Sequence, residues 1–88
     1  MKITSVNVRK VDSENRMRGI ASVVLDECFA IHGIRIIEGD NGLFTAMPNR
    51  KANDGTYHDI AHPITSECRK EFEDAIISEY NKVKEEDE

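Results

Sequence analysis

HPITSECRKEFEDAIISEYNKV, residues 62–83, is the stretch in which the apolar residues leave strand spacing for helical spacing. Cys68, Phe72, Ile76, Tyr80 and Val83, with Ala75 beside them, form one apolar stripe of period near 3.6. Thr65 or Ser66 can cap the first turn, and Glu67 suits the positive end of the helix dipole. Pro63 biases His62 toward an extended conformation, so the helix has to begin after it. The spacing predicts one amphipathic C-terminal helix, with the acidic tail at residues 85–88 frayed because it has nothing to pack.

Everything upstream reads with period two. KITSVNVRKV (2–11) predicts a first strand with Val6 and Val8 on one face, and DSENR (12–16) supplies a turn. MRGIASVVLD (17–26) places Met17, Ala21, Val23 and Leu25 on one face and Ile20, Ser22 and Val24 on the other, the pattern of a central strand. After a turn at Asp26-Glu27, CFAIHGIRIIE (28–38) puts Cys28, Ala30, His32, Ile34 and Ile36 on one face. Asp40-Asn41-Gly42 predicts a hairpin with positive φ at Asn-Gly, and LFTAM (43–47) a fourth strand that Pro48 ends. Asn49 to Gly55 reads as an exposed loop with Arg50 and Lys51 at its tip, and TYHDIA (56–61) as a short fifth strand. The predicted class is α+β: an antiparallel β-sheet of about five strands followed by one amphipathic helix, in a single domain over residues 1–84.

With 88 residues, such a domain buries only about 60 to 65% of its unfolded surface, so dimerisation is a natural supplement. Charged residues at 33% and hydrophobic ones at 39% exclude a disordered chain and a disulfide scaffold. No apolar run reaches membrane-spanning length and the first residues lack a signal-peptide core, so a cytoplasmic protein without a membrane partner is expected. Cys28 and Cys68 have no metal or redox spacing and read as two reduced thiols, one in a strand and one in the helix. The net charge of −5 conceals a division: residues 1–51 carry eight Lys/Arg against six Asp/Glu, residues 52–88 four against eleven. Binding to a polyanion needs only a local basic face, so the total does not decide the partner.

The chemistry-bearing patterns are few. His58-Asp59-Ile60-Ala61-His62 invites comparison with the helical zinc motif H-E-x-x-H, but Gly55, Pro63 and the strand pattern refuse the helix that motif needs, and no third ligand is evident. Cys68 near a helix N-terminus could be an activated thiol, yet it belongs to the apolar stripe. The carboxylate pairs Asp26-Glu27 and Glu38-Asp40 read as solvated turn charges. No phosphate-binding glycine loop or nucleophile elbow occurs, so neither an enzyme nor a cofactor is expected. The anomaly is basic. Arg69 and Lys70 read as first-turn residues facing the positive end of the helix dipole, with Glu67, Glu71, Glu73 and Asp74 as ion-pair partners; the alternatives are surface pairing and phosphate contact. Arg50 and Lys51 have only Asp54 nearby, so a phosphate contact stands beside a merely solubilising turn. A curved sheet would merge the two pairs into one patch. Phe44 and Tyr57 flank the loop and could stack on unstacked bases, although core positions are the plainer reading.

GLFTAMPNRKANDGTYHDIAHPITSECRKEFEDAIISEY, residues 42–80, resembles the SpoVG family, with the Met-Pro, the basic pair, Asp-Gly, DIAHPI and the helix in the same order. MKITSVNVRKV, MRGIASVVLDECFAIHGIRIIEG and NGLF extend the likeness over about residues 1–84. The resemblance implies a small cytoplasmic, homodimeric, non-catalytic regulator that binds DNA with sequence preference and also RNA, acting in septation, sporulation or other gene expression. Its basic loop and helix start map to Arg50, Lys51, Arg69 and Lys70, with Asn49 and His58 in the same region. His58 stands where relatives often have Arg, Asn49 where Ser is common, and Ala52-Asn53 where Thr-Pro is common. The first change removes a permanent charge, making binding weaker or pH dependent, and the last leaves the loop less rigid. A reading of another class is a protein-interaction adaptor using the acidic helix face at Glu71 and Asp74.

Overall fold

Alternating apolar residues and short polar turns favour antiparallel neighbours, and four consecutive strands pair in that way. In the computed structural model, which describes residues 2–11 and 15–86, β1 (Ile3–Lys10), β2 (Met17–Leu25), β3 (Phe29–Gly39) and β4 (Gly42–Ala46) form a meander in the order β1-β2-β3-β4. β5 (Asn49–Lys51) and β6 (Tyr57–Asp59) form a separate two-stranded antiparallel ribbon, and α1 (Ser66–Glu86) completes the chain. The α+β class is as expected. The strand count is one higher because Asn49–Lys51, read as loop, pairs with Tyr57–Asp59, the only part of TYHDIA that is strand. α1 continues to Glu86, so the boundary expected at residue 84 falls inside the helix. Most of the first expected turn, Asp12 to Glu14, lies outside the described residues.

The helix stripe does what its spacing predicts. Phe72, Ile76 and Tyr80 are buried against Ala21, Val23 and Leu25 of β2 and Ile34 and Ile36 of β3, with Met47 in the same core and Cys68 packed at its margin. Each of the buried Val, Leu, Ile, Phe and Met side chains contributes about 1.5–3 kcal/mol on leaving water. Gly19 sets how closely helix and sheet approach: a Cβ there would lie 3.2 Å from the Arg9 carbonyl oxygen, 3.3 Å from Ile36 Cδ1 and 3.4 Å from Tyr80 Cδ1. One buried polar atom is unmatched among the described residues, since Thr45 Oγ1, on the covered face of β4, has no hydrogen-bond partner.

Two local departures from strict alternation correct the expected faces. Ala21 pairs with Ile34 but Val23 with Ile31, so β3 holds one residue more than β2 across this interval. Gly33, at φ 79°, accommodates the extra residue. Parity reverses there: Ile31 joins the margin of the core, whereas Ala30 and His32, expected beside Ile34 and Ile36, are exposed. A second register shift between Met17 and Gly19 sets Met17 opposite Ile37 and off the core face. Cys28, expected in the strand, sits exposed in the turn before it, and both cysteines are free thiols. That turn holds Asp26 and Glu27 at φ 50° and 57°, a left-handed conformation costing non-glycine residues about 1–2 kcal/mol each. The start of β1 ties it down: Lys2 N–H donates to Asp26 Oδ1 at 2.9 Å, Asp26 N–H to the Lys2 carbonyl at 2.8 Å, and Glu27 N–H to Thr4 Oγ1 at 3.0 Å. In the β3–β4 hairpin the two turn residues are Asp40 and Asn41, and only Gly42 has the positive φ expected of the Asn-Gly pair.

Two substitutions test this packing in urea titrations. Gly19→Val should destabilise the fold by about 1–3 kcal/mol through overpacking beneath Tyr80. Thr45→Val should leave stability unchanged or raise it by about 1 kcal/mol, because it deletes an unmatched buried hydroxyl at constant shape. An unaffected Gly19→Val midpoint, or a clear loss in Thr45→Val, would contradict the packing described.

Candidate nucleic-acid interface

Pro48 ends β4 because it offers no N–H to a ladder, and the chain then leaves the meander as the β5–β6 ribbon. Its base is clasped by the Ile60 N–H donating to the Pro48 carbonyl at 2.7 Å, just beyond the buried Met47. Asn49 pairs with Asp59, Arg50 with His58 and Lys51 with Tyr57. Cross-strand partners share a face, so Arg50 and His58 project from one side of the ribbon and Lys51 and Tyr57 from the other. Arg50 and Lys51 are therefore strand residues, not loop-tip residues. The tip is Ala52 to Thr56, closed by Ala52 N–H to the Thr56 carbonyl (2.7 Å) and Gly55 N–H to the Ala52 carbonyl (3.0 Å), with Gly55 at φ 89°. Asn49 is half-buried at the ribbon base, and Arg50, Lys51 and His58 are exposed. Tyr57 is 67% exposed and Phe44 43%, so neither is a core residue as the plainer reading of the sequence had it.

A polar relay stiffens the tip. Thr56 N–H and the Thr56 hydroxyl both donate to Asp54 Oδ1, at 3.0 and 2.6 Å, and His58 Nε2 lies 2.9 Å from the same hydroxyl oxygen. The threonine has one proton and directs it to the carboxylate, so His58 Nε2 must be the donor in its bond. The two bonds from Thr56, its hydroxyl first and its N–H second, hold the Asp54 carboxyl below the usual carboxylate range.

The helix start is built separately. Thr65 is the cap: its Oγ1 accepts from Cys68 N–H at 3.1 Å and its carbonyl from Arg69 N–H at 3.0 Å. His62 meets the Pro63 carbonyl through Nδ1 at 2.9 Å, which fixes the approach to the helix. His58 lies on β6 and His62 beyond a bend, so the two do not share a helical turn. Because α1 begins at Ser66, Arg69 is its fourth residue and Lys70 its fifth, at or past the limit of the dipole effect. Arg69 approaches Glu73 at 3.8 Å. The extensive contacts of α1 are with β1, β2 and β4, and those of the ribbon are within itself. The two basic pairs thus occupy different elements with no extensive packing between them.

The face of the meander turned away from α1 carries two further cations, apart from the basic pairs. Arg9, Ile20, Arg35 and Ala46 stand opposite one another in a row across all four strands, and Ile37 faces Phe44 in the row beyond. Arg16 pairs with Asp40 at 3.1 Å and Arg18 with Glu38 at 3.0 Å, whereas neither Arg9 nor Arg35 is in an ion pair among the described residues. The signal was legible: β1, β2 and β4 contain no Asp or Glu.

Comparison with known proteins places these elements in a family setting. The SpoVG family model matches residues 1–82. A Clostridium acetobutylicum protein named "Putative septation protein SpoVG" is 52% identical over 88 residues, covering all of this chain and 93% of its own. Proteins of the same name from Bacillus pumilus and Staphylococcus aureus are 49% identical over 88 residues and 47% identical over 85, covering 100% and 97% of this chain and 90% and 85% of their own.

The Asp54 relay has a pH signature. A carboxyl whose pKa is lower folded than unfolded lends its support to the tip above the ordinary carboxylate range, about 3.9, and that support fades as pH falls through the depressed value. An NMR titration should find Asp54 titrating below that range, and Thr56→Val should return it upward. An ordinary midpoint in the unaltered chain would contradict the relay.

Proposed function

Since this chain belongs to the SpoVG family, we propose that it is a cytoplasmic, homodimeric, non-catalytic regulator of septation that acts by binding nucleic acid, DNA with sequence preference and also RNA. The observation that carries the reading is the ribbon. Arg50 and Lys51 are exposed on opposite faces of a projecting element and are in no ion pair among the described residues, with His58 beside Arg50. Two cations on opposite faces suit a ribbon that enters a groove or lies between two strands of phosphates, where arginine contributes a fork and lysine a point charge. Lys70, exposed on α1, and Arg69, held loosely by Glu73, extend the contact along the helix start, and a dimer doubles each. In this reading Asn49 and the free Nδ1 of His58, whose Nε2 is engaged by Thr56, add hydrogen-bonding groups for base edges. The septation role comes from the name that the relatives share.

The test is a binding titration of the full chain against pooled DNA and RNA at two salt concentrations, with the mass of the free protein measured in parallel. If the dimer neutralises about six phosphates, affinity should fall roughly a thousandfold between about 50 and 200 mM salt. Arg50→Ala with Lys51→Ala should flatten that dependence while the melting profile is retained. Binding unchanged in this variant would refute the assignment of the ribbon. Function lost instead on charge reversal of Glu71 and Asp74 would favour the adaptor.

A further inference from the structure

We propose that the open face of the meander is a second nucleic-acid surface, a platform for a single strand, distinct from the ribbon. The inference rests on the nucleic-acid reading above and adds to it a site and a ligand form. α1 covers one face of the sheet only. On the other, Arg9 and Arg35 flank Ile20 in one cross-strand row, which sets the two arginine positions about 10 Å apart, twice the strand spacing. No carboxylate belongs to the paired rows of this face. The molecule carries a net charge of −5, so paired rows that bear two arginines and no carboxylate are a local reversal that favours a polyanion.

The neighbouring row supplies what a base needs. Phe44 stands opposite Ile37 on the same face and remains 43% exposed. Its ring is seated over Gly39, where a Cβ would come within 2.9 Å of Phe44 Cε1. The absence of a side chain at residue 39 therefore lets the ring lie close to the sheet. His32, turned outward by the extra residue at Gly33, adds a second ring and is held by Ser22 Oγ at 2.9 Å from its Nδ1. An open sheet face that presents rings beside arginines can stack unpaired bases while the guanidinium groups take phosphates. Stacking on Phe44 needs a bare base face, which a single strand offers without the cost of unstacking a duplex, so the ligand is a single strand.

The experiment uses the full chain with three fluorescent probes of equal length: oligo-dT, oligo-rU and a DNA duplex. Phe44→Leu keeps an apolar residue at a surface position, and Arg9→Ala with Arg35→Ala removes two exposed or half-exposed cations; melting profiles verify that both fold. Phe44→Leu should weaken binding of the single strands by tenfold or more and leave the duplex nearly unaffected. The double arginine variant should lower the salt slope for single strands by about 1.4, two phosphates at about 0.7 each. Single-strand binding unchanged in both variants but lost in Arg50→Ala with Lys51→Ala would overturn the platform and leave the ribbon reading standing. No binding of any probe by the unaltered chain would overturn both. A change in the protein's mass, with probe binding intact, would assign the face to a second copy of the chain and overturn the proposal.

Discussion

The structure depends on a helix that can cover only one face of a four-stranded sheet. Phe72, Ile76 and Tyr80 are committed to the face bearing Ala21, Val23, Ile34 and Ile36, and the described residues hold no second helix with which to cover the other face. Gly19 makes the commitment tight by letting Tyr80 approach the backbone of β2. The consequences are topological. One sheet face is dry, the other is left open with its arginines, and the short β5–β6 ribbon is attached through the Met47–Pro48 segment and the Ile60–Pro48 hydrogen bond, without a share in the core of its own.

This division also explains how an acidic molecule can be suited to a polyanion. Among the described residues the carboxylates of the meander, Asp26, Glu27, Glu38 and Asp40, lie in turns or near a strand end, where Glu38 and Asp40 engage Arg18 and Arg16, while most of the carboxylates after residue 51 fall at residues 67–88. At physiological salt, exposed charges more than about 8–10 Å apart are largely screened from one another, so the local sign at the ribbon and at the open face outweighs the molecular total. Exposed cations there meet no desolvation cost in the free protein. A two-stranded ribbon is marginal in water by itself, and the Asp54–Thr56–His58 relay compensates by ordering the tip with side-chain bonds in place of burial.

The helix, the meander and most of the core were legible in the sequence because they rest on period: 3.6 after Thr65, two before Pro48. What escaped were the irregularities inside the strands and the strand with no alternation. The extra residue at Gly33 reversed the faces of Ala30, Ile31 and His32, and a lone glycine in an apolar run gives little warning of which way parity goes. Asn49–Lys51 was hidden as a strand because its three polar residues carry no alternation, and its pairing is set by the turn at Ala52 to Thr56. Of the candidate site, the exposure of Arg50, Lys51, Arg69 and Lys70 was readable, but their distribution over two elements was not, since it depends on how ribbon and helix leave the sheet. Phe44 looked like core from its composition alone; its place opposite Ile37 turns it outward.

In the proposed reading a polyanion meets the ribbon, the open sheet face and the start of α1 at Arg69 and Lys70, and not the acidic residues farther along the helix. An amide-resolved NMR titration of the isotopically labelled chain with a single-stranded oligonucleotide tests it directly. The largest shifts should fall on Arg50, Lys51 and His58 of the ribbon and on Arg9, Arg35 and Phe44 of the meander, with smaller ones at the helix start around Arg69 and Lys70 and none at Glu79. Shifts concentrated on the exposed acidic side of α1, with the ribbon and open face silent, would contradict the account.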